Sequence, residues 1–347
     1  MQDFSLLIRL WYRQNSRKLP WRKTSNPYFI WLSEIILQQT RVEQGRKYYE
    51  KFVDHFPNVG DLASASEEEI LNLWQGLGYY SRARNLHYAA QQIVEHFGGS
   101  FPTDYKSIKS LKGVGDYTAS AIASFAFNLP HAVVDGNVYR VLSRFFADGT
   151  PVDTSQGQKL FKAYAEELLS KEDPAEHNQA IMEIGALVCK PKKPDCEKCP
   201  LQENCLAYRK VEALNYPVKS KKTKVRDRYF NYLVSGDRNF QFEKRESKGI
   251  WQNMYQYPLI ETDVQKGLNE LQKDVTKEFD VDLLEEIANY THVLSHQRIH
   301  TIFWKVNGDL HSSRKLLDVD VETVDEYPVP RLIHRFLEEN NSEYGSE

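Results

Sequence analysis

The stretch "LKGVGDYTASAIASFA", residues 111–126, decides how the first part of this chain is read. Gly113 and Gly115 stand one residue apart, directly before an alanine-rich run of helical length. Glycine has no Cβ and takes tight backbone geometry that other residues resist. A helix that starts just after such a turn offers free N–H groups at its N-terminus, and these suit a phosphate. Ala119, Ala121, Ala123 and Ala126 let a neighbouring helix approach closely. Taken alone, the same pattern also fits a glycine turn that does no more than cap a helix.

Outward from this turn, residues 1–205 read mostly as helices. The N-terminus carries Phe4, Leu7, Ile8 and Trp11 at amphipathic spacing, which is unlike a secretory signal and predicts an intracellular protein. Helices are predicted over "PYFIWLSEIILQQT" (27–40), 43–56, 67–75, 80–97, 118–127, 137–146, 156–169 and 175–188. Short punctuators such as "FPNVG", "FGGSFPT" and "NLPHAVVDGN" separate them. Residues 206–228 are basic with little apolar periodicity and read as a linker. Short β-type runs follow, among them "RYFNYLVS", "NFQFEKR", "MYQYPLIE", "NYTHVLS" and "HTIFWKV". Two helices are predicted among and after them, over 264–279 and 329–340. The expectation is a multidomain protein: an all-α domain at 1–205, a linker at 206–228 and an α+β domain at 229–347.

Composition agrees with that division. A length of 347 residues suggests about two domains. No uninterrupted apolar run reaches the length of a membrane span. The net charge of −3 hides an asymmetry. Residues 1–226 carry 31 basic and 25 acidic side chains, whereas 227–347 carry 14 and 23. A mildly basic first part is compatible with a phosphate-rich partner.

All four cysteines fall within the 17 residues "CKPKKPDCEKCPLQENC". Cys189, Cys196, Cys199 and Cys205 are spaced C-x6-C-x2-C-x5-C, which points to one four-thiolate site rather than to disulfides. Tetrahedral zinc and a [4Fe–4S] cluster both fit such a donor set. The loop between the first two cysteines holds Lys190, Lys192 and Lys193, which could contact phosphates.

Two carboxylates stand out. Glu34 lies in the apolar run "WLSEIILQQTRV", with Ile30 and Trp31 one turn before it and Leu37 and Gln38 one turn after. Burial there raises the pKa of a carboxyl group, and a raised pKa is what a general acid needs near neutral pH. The alternative is a helix edge with Glu34 facing water. Asp135 opens "DGNVYRVLSRFF" and by itself reads as a turn and helix N-cap.

The cysteine spacing, with a helix ending at the first cysteine, resembles the iron–sulfur motif of the endonuclease III superfamily of DNA glycosylases. "LKGVGDYTAS" resembles the helix–hairpin–helix signature of the same superfamily, and "VDGNVYRV" its catalytic-aspartate motif. With "LPWR" (19–22), "NPYFIWLSEIILQQTRV" (26–42), "WQGLGYYSRARNLH" (74–87) and "NQAIMEIGALVC" (178–189), the chain is similar to adenine DNA glycosylases of the MutY type over most of residues 4–205.

That resemblance implies a [4Fe–4S] cluster on the four cysteines, with a structural or DNA-positioning role. It implies that Glu34 is the general acid, that Asp135 stabilises the sugar cation and that Asn137 orients Asp135. Tyr117 occupies the position where strand-cutting members carry a lysine. A tyrosine cannot form a Schiff base, so base removal without strand cleavage is implied. Arg22 and Gln179 match adenine-pocket positions. Gln39 and Tyr79 match positions that enter the DNA stack, and Gly113 and Gly115 match the backbone-binding hairpin. The C-terminal domain resembles the family's Nudix-like 8-oxoguanine-recognition domain, without the carboxylates of a Nudix hydrolase box. In "THVLSHQRIH", Ser295 and His296 keep the family's loop, whereas Leu294 replaces its usual aromatic residue. The implied partner is duplex DNA with adenine opposite 8-oxoguanine or guanine. The enzyme is expected to be a monomer in the bacterial cytoplasm, on the nucleoid.

Overall fold

The computed structural model describes residues 2–220, 225–236 and 239–344. Its backbone clusters into two compact units. One holds the described residues of 1–64 and 85–221, and the other those of 65–84 and 222–347.

The helices in chain order are α1 (Gln2–Asn15), α2 (Pro27–Ile36), α3 (Val42–His55), α4 (Val59–Ser64), α5 (Glu67–Leu73), α6 (Ser81–Phe97), α7 (Tyr105–Ser110), α8 (Asp116–Phe127), α9 (Gly136–Phe145), α10 (Ser155–Leu168), α11 (Pro174–Leu187) and α12 (Leu206–Arg209). Two of the short ones, α4 and α7, lie outside the predicted helices. At six residues each, they span under two turns and carry little pattern.

Local chemistry starts and stops the helices that matter here. Pro27 sits in the first turn of α2, and the Asn26 side chain accepts a bond from the Tyr28 N–H at 3.0 Å. The helix expected over 27–40 ends at Ile36, and Gln39 beyond it takes a left-handed φ of 56°. Helix α2 is buried on nearly every side, from Ile30 through Ile36 without a break. Ala119, Ala121 and Ala123 of α8 are fully buried, so the small side chains of the opening stretch serve close packing. Gly185 of α11 does the same against α9, because a Cβ there would stand 2.6 Å from that of Asn137. A core of Phe4 and Ile8 (α1), Val138 and Leu142 (α9), Phe161 (α10), and Ile181 and Ile184 (α11) holds these helices together.

The first half of the expected linker is attached to the helical unit. Arg144 donates to the carbonyls of Ala213 and Tyr216 at 2.7 and 3.2 Å, and Val152 N–H donates to Val218 at 3.0 Å. Residues 221–224 of that linker lie outside the described residues.

The second unit holds α5 with two sheets. Its strands are β1 (Arg226–Val234), β2 (Asn239–Lys244), β3 (Tyr255–Gln256), β4 (Leu259–Thr262), β5 (Leu283–Val293), β6 (Gln297–Val306) and β7 (Leu316–Asp320). One sheet has the order β4-β1-β6-β5, with β1 and β6 parallel, and the other has the order β3-β2-β7. Helix α13 (Leu268–Val275) packs Leu271 and Val275 with Leu233, Ile302 and Trp304 of the four-stranded sheet. Phe336 of α14 (Arg331–Tyr344) stacks on Phe303, ring centres 4.0 Å apart. Helix α13 is shorter than the 264–279 expected, and the five-residue β7 carried too little alternation to be predicted.

Candidate functional site

A cavity of about 590 Å³ opens in the helical unit. Seven of the residues singled out in the sequence line it: Arg22, Glu34, Gln39, Tyr117, Asp135, Asn137 and Gln179. They come from five places in the chain, so the fold assembles the site.

Glu34 enters from α2 and is only 7% exposed, which removes the alternative of a water-facing helix edge. The Tyr117 hydroxyl of α8 donates to its Oε2 at 2.8 Å. Burial is the main force on Glu34 and raises its pKa from the ordinary carboxyl value to about 7. The Tyr117 bond opposes that rise, the negative charge of Asp135 adds to it and Arg22 opposes it. Burial also pushes the Tyr117 phenol well above its ordinary value, so it remains a donor.

Asp135 is the N-cap of α9, accepting from the Val138 N–H at 2.8 Å, and it also faces the cavity. Its second oxygen accepts from the Asn137 amide at 2.6 Å. Burial raises its pKa, whereas the bonds from Val138 and Asn137 lower it. One carboxylate therefore both caps the helix and faces the cavity. Asn137 is itself held, because Arg140 donates to its Oδ1 at 2.8 Å and to the carbonyls of Gly185 and Cys189 at 2.6 Å each.

The cavity lining also holds a group that sequence reasoning missed. Glu183 of α11 has no exposed side-chain surface and accepts paired bonds from both Arg17 and Arg22, at 2.6–2.9 Å. Burial alone would raise its pKa, but the bonds from Arg17 and Arg22 and the Arg22 charge outweigh that and leave it at about 2. Arg22 also lies over the Tyr12 ring at 5.5 Å, and the Tyr12 hydroxyl donates to Gln179 at 2.5 Å. The available signal was Glu183 inside the quoted motif "NQAIMEIGALVC". Its partners lie over 160 positions earlier, where no local pattern reaches.

The remaining predicted residues lie elsewhere. Gly113 has φ +78° at the hairpin before α8, and a Cβ there would meet Asn85 at 2.7 Å. Gly115 is the extended N-cap of α8 and is open to solvent. In the second unit, Leu294, Ser295 and His296 form the turn between β5 and β6, closed by Leu294 N–H to Gln297 at 2.8 Å. The Tyr79 hydroxyl, on a residue with left-handed φ of 50°, hydrogen-bonds the Ser295 hydroxyl.

Cys189, Cys196, Cys199 and Cys205 line a separate small cavity with the apolar side chains of Val141, Ile184, Val188 and Leu201. Arg144 donates to the Cys189 sulfur at 3.2 Å, and its remaining donors bind loop carbonyls, including Lys190 at 2.8 Å and Pro191 at 3.0 Å. Among the described residues, no three His, Cys, Asp or Glu side chains converge tightly enough to form a recognisable single-ion site.

The chain is similar to known proteins in sequence and in fold. Residues 32–169 match the HhH-GPD superfamily of base excision DNA repair proteins, and residues 230–339 match a NUDIX domain. The adenine DNA glycosylase of Buchnera aphidicola subsp. Schizaphis graminum is 35% identical over 345 residues, covering 96% of this chain and 98% of that protein. The human adenine DNA glycosylase is 45% identical over 212 residues, covering 58% of this chain and 39% of that protein. Among solved structures, a thermostable thymine-DNA glycosylase matches with a TM-score of 0.56 and 32% identity, over 60% of this chain and 96% of that one. Endonuclease III in a DNA complex matches with a TM-score of 0.52 at 22% identity, over 60% of this chain and 97% of that one, a likeness of fold.

Proposed function

The chain belongs to the adenine DNA glycosylases, and on that premise we propose that it removes adenine opposite 8-oxoguanine, with Glu34 as general acid and Asp135 as stabiliser of the sugar cation. Membership of that family makes it a hydrolase of N-glycosidic bonds in base excision repair. The finer reading rests on one observation. The cavity of the helical unit carries a buried carboxyl group that titrates near pH 7 and, on the same surface, a second carboxylate.

The target bond is out of reach inside a stacked duplex, so the adenine must be flipped into the cavity. Glu34, whose pKa of about 7 leaves roughly half the molecules protonated at neutral pH, gives its proton to the adenine ring at N7. The bond from the base to the sugar then breaks, and its electron pair leaves with the adenine. The sugar carbon is left electron-poor and oxocarbenium-like. Asp135, ionised and oriented by Asn137, stands as its counter-charge until water adds at that carbon and its proton passes to the Glu34 carboxylate, which restores the acid, a two-carboxylate logic shared with glycoside hydrolysis. Tyr117 orients Glu34 and offers no amine, so an abasic site with an intact strand is the product. Glu183, Arg22 and Gln179 supply a polar wall for the base, and Gln39 and Tyr79 enter the stack. The hairpin at Gly113 and Gly115 holds backbone phosphate at the start of α8. Among the described residues no helix is long and apolar enough to cross a membrane. A monomer acting on the nucleoid is the proposed setting.

The four cysteines fit a [4Fe–4S] cluster. All four thiols line one apolar cavity, and Arg144 beside Cys189 offers compensating charge. When bound, the cluster would cross-link the loop and hold it as a rigid basic surface. The turn at Leu294, Ser295 and His296 reads the base opposite the adenine, with Leu294 as an apolar wedge in place of a stacking ring.

A panel of duplexes tests the reading. Adenine release is expected to be fastest from A:8-oxoguanine, slower from A:G and undetectable from T:G. Borohydride is expected to trap no protein–DNA adduct through an internal lysine. Thymine release, or efficient trapping, overturns the assignment.

A further inference from the structure

Residues 65–84 precede most of the helical unit in sequence yet cluster with the C-terminal residues. The contacts that bind them there are specific. Ser66 caps α5 by accepting from the Glu69 N–H at 3.1 Å, which fixes the first turn of the helix. Glu68, in that turn, accepts from the Lys244 ammonium at 2.6 Å and from the Tyr255 hydroxyl at 2.7 Å. Lys244 also lies over the Tyr255 ring at 5.3 Å, so the three groups form one closed cluster. Glu67 accepts from the Asn253 amide at 2.6 Å, Asn72 donates to the Glu326 carbonyl at 2.5 Å, and Arg84 donates to the Gln252 carbonyl at 2.9 Å.

The far end of the same segment carries Tyr79. The loop between is braced within itself. Trp74 Nε1 donates to the Gly78 carbonyl at 3.0 Å, and the Arg82 guanidinium donates to the same carbonyl at 3.1 Å while lying over the Trp74 ring. A loop tied to α5 in this way follows α5. Tyr79 then meets Ser295, in the β5–β6 turn, through its hydroxyl.

We propose that Glu68, held by Lys244 and Tyr255, is a positioning residue that fixes the Tyr79 loop against the Ser295 turn, so that both engage the base opposite adenine as one element. The proposal rests on the reading of that turn given above. Glu68 touches neither substrate nor the reacting atoms. Its effect is on how much ordering is left to the moment of binding, which governs affinity more than the chemical step.

The experiment uses the full-length protein with Glu68→Lys, Lys244→Glu, the double swap of both, and the milder Tyr255→Phe. Hydrogen exchange in the free protein is read at amides 76–82, with α8 and β6 as internal controls for global unfolding. Glu68→Lys is expected to speed exchange at 76–82 about ten-fold, and Tyr255→Phe about two- to three-fold, as loss of surface polar contacts allows. The double swap is expected to recover most of the protection. In single-turnover adenine release from A:8-oxoguanine, the half-saturating enzyme concentration should rise about five-fold in Glu68→Lys, while the plateau rate stays within about two-fold of wild type. Unchanged exchange at 76–82 in both Glu68→Lys and Tyr255→Phe overturns the proposal, as does a fall in plateau rate with no change in half-saturation. Wild-type protein that fails to distinguish 8-oxoguanine from guanine would instead remove the reading of the turn, and exchange at 76–82 would still decide the role of Glu68.

Discussion

Glu34 and Glu183 line one cavity, and both are buried. They differ in their partners. Glu34 receives a single bond from a neutral phenol and sits near an aspartate, and its pKa climbs to about 7. Glu183 receives bonds from two guanidinium groups, and its pKa falls to about 2 although burial pushes it upward. Burial alone therefore does not set the protonation state: it prevails at Glu34, whereas at Glu183 the charge of the donors outweighs it. One carboxyl group of the cavity keeps a proton up to about pH 7. The other holds a fixed negative charge, neutralised and oriented, that no physiological pH removes. The proposed reaction, which protonates a base and also holds it, uses both.

The sharpest way to break this comparison is to remove the proton. Glu34→Gln keeps the shape and loses the acid, and adenine release is expected to fall about 10³-fold, within the range for a positioned general acid. The same variant carries an opposite effect on stability. The pKa of Glu34 is raised in the folded state, so its favourable contribution is full below the ordinary carboxyl pKa and is lost as pH rises through about 7. Glutamine stays neutral throughout. Urea unfolding is therefore expected to show Glu34→Gln about 2–3 kcal/mol more stable than wild type above pH 8, with no difference near pH 4. A difference that does not vary with pH would mean that Glu34 is not held protonated.

Removing the fixed charge tests the other wall. Glu183→Gln leaves Arg17 and Arg22 partly buried without their carboxylate, and stability at pH 7 is expected to fall by about 3 kcal/mol, as when one partner of a buried pair is lost. The sign with pH is the reverse of that for Glu34. A depressed pKa contributes stability above the ordinary carboxyl value and loses it as pH falls through about 2, so variant and wild type should converge in strong acid. Equal stability at pH 7 would show that the two arginines find other partners.

The contrast also marks how far the sequence could be read. Glu34 was legible because its oddity is local, a carboxylate among Ile30, Trp31 and Leu37 in one apolar helix. The four cysteines and the glycine turn stood out for the same reason, each a short local pattern, although the cysteine spacing fitted zinc as well as a cluster and the turn fitted a helix cap as well as a phosphate site. Glu183 was not legible, because its meaning depends on arginines from before α2 that only tertiary packing delivers. Asp135 stood between the two cases. Its N-cap role can be read from "DGNVYRV", whereas its place on the cavity follows from the packing of α9 on α11 at Gly185. The attachment of α5 to the β2–β3 region was likewise hidden, since the paired residues are separated by more than 170 positions. Helix periods and capping residues gave the elements, but the linker boundary was set by Arg144 holding Ala213 and Tyr216, a contact with no sequence signature.

The smallest expected effect is the most specific to the Glu34 wall. The Tyr117 hydroxyl is a bond to the charged form of Glu34 and pulls its pKa down against burial. Tyr117→Phe removes that pull and leaves burial and the Asp135 charge unopposed except by Arg22. The pKa of Glu34 should therefore rise further, and the pH at which adenine release declines should move upward by less than about one unit. At pH 6, where Glu34 is protonated in both proteins, the rates should agree within about three-fold, since only orientation is lost. The pH–rate profile of single-turnover release measures both quantities. A shift toward lower pH would mean that the phenol stabilises the neutral acid rather than the carboxylate, and the proton store would then be built by Tyr117 instead of by burial in α2.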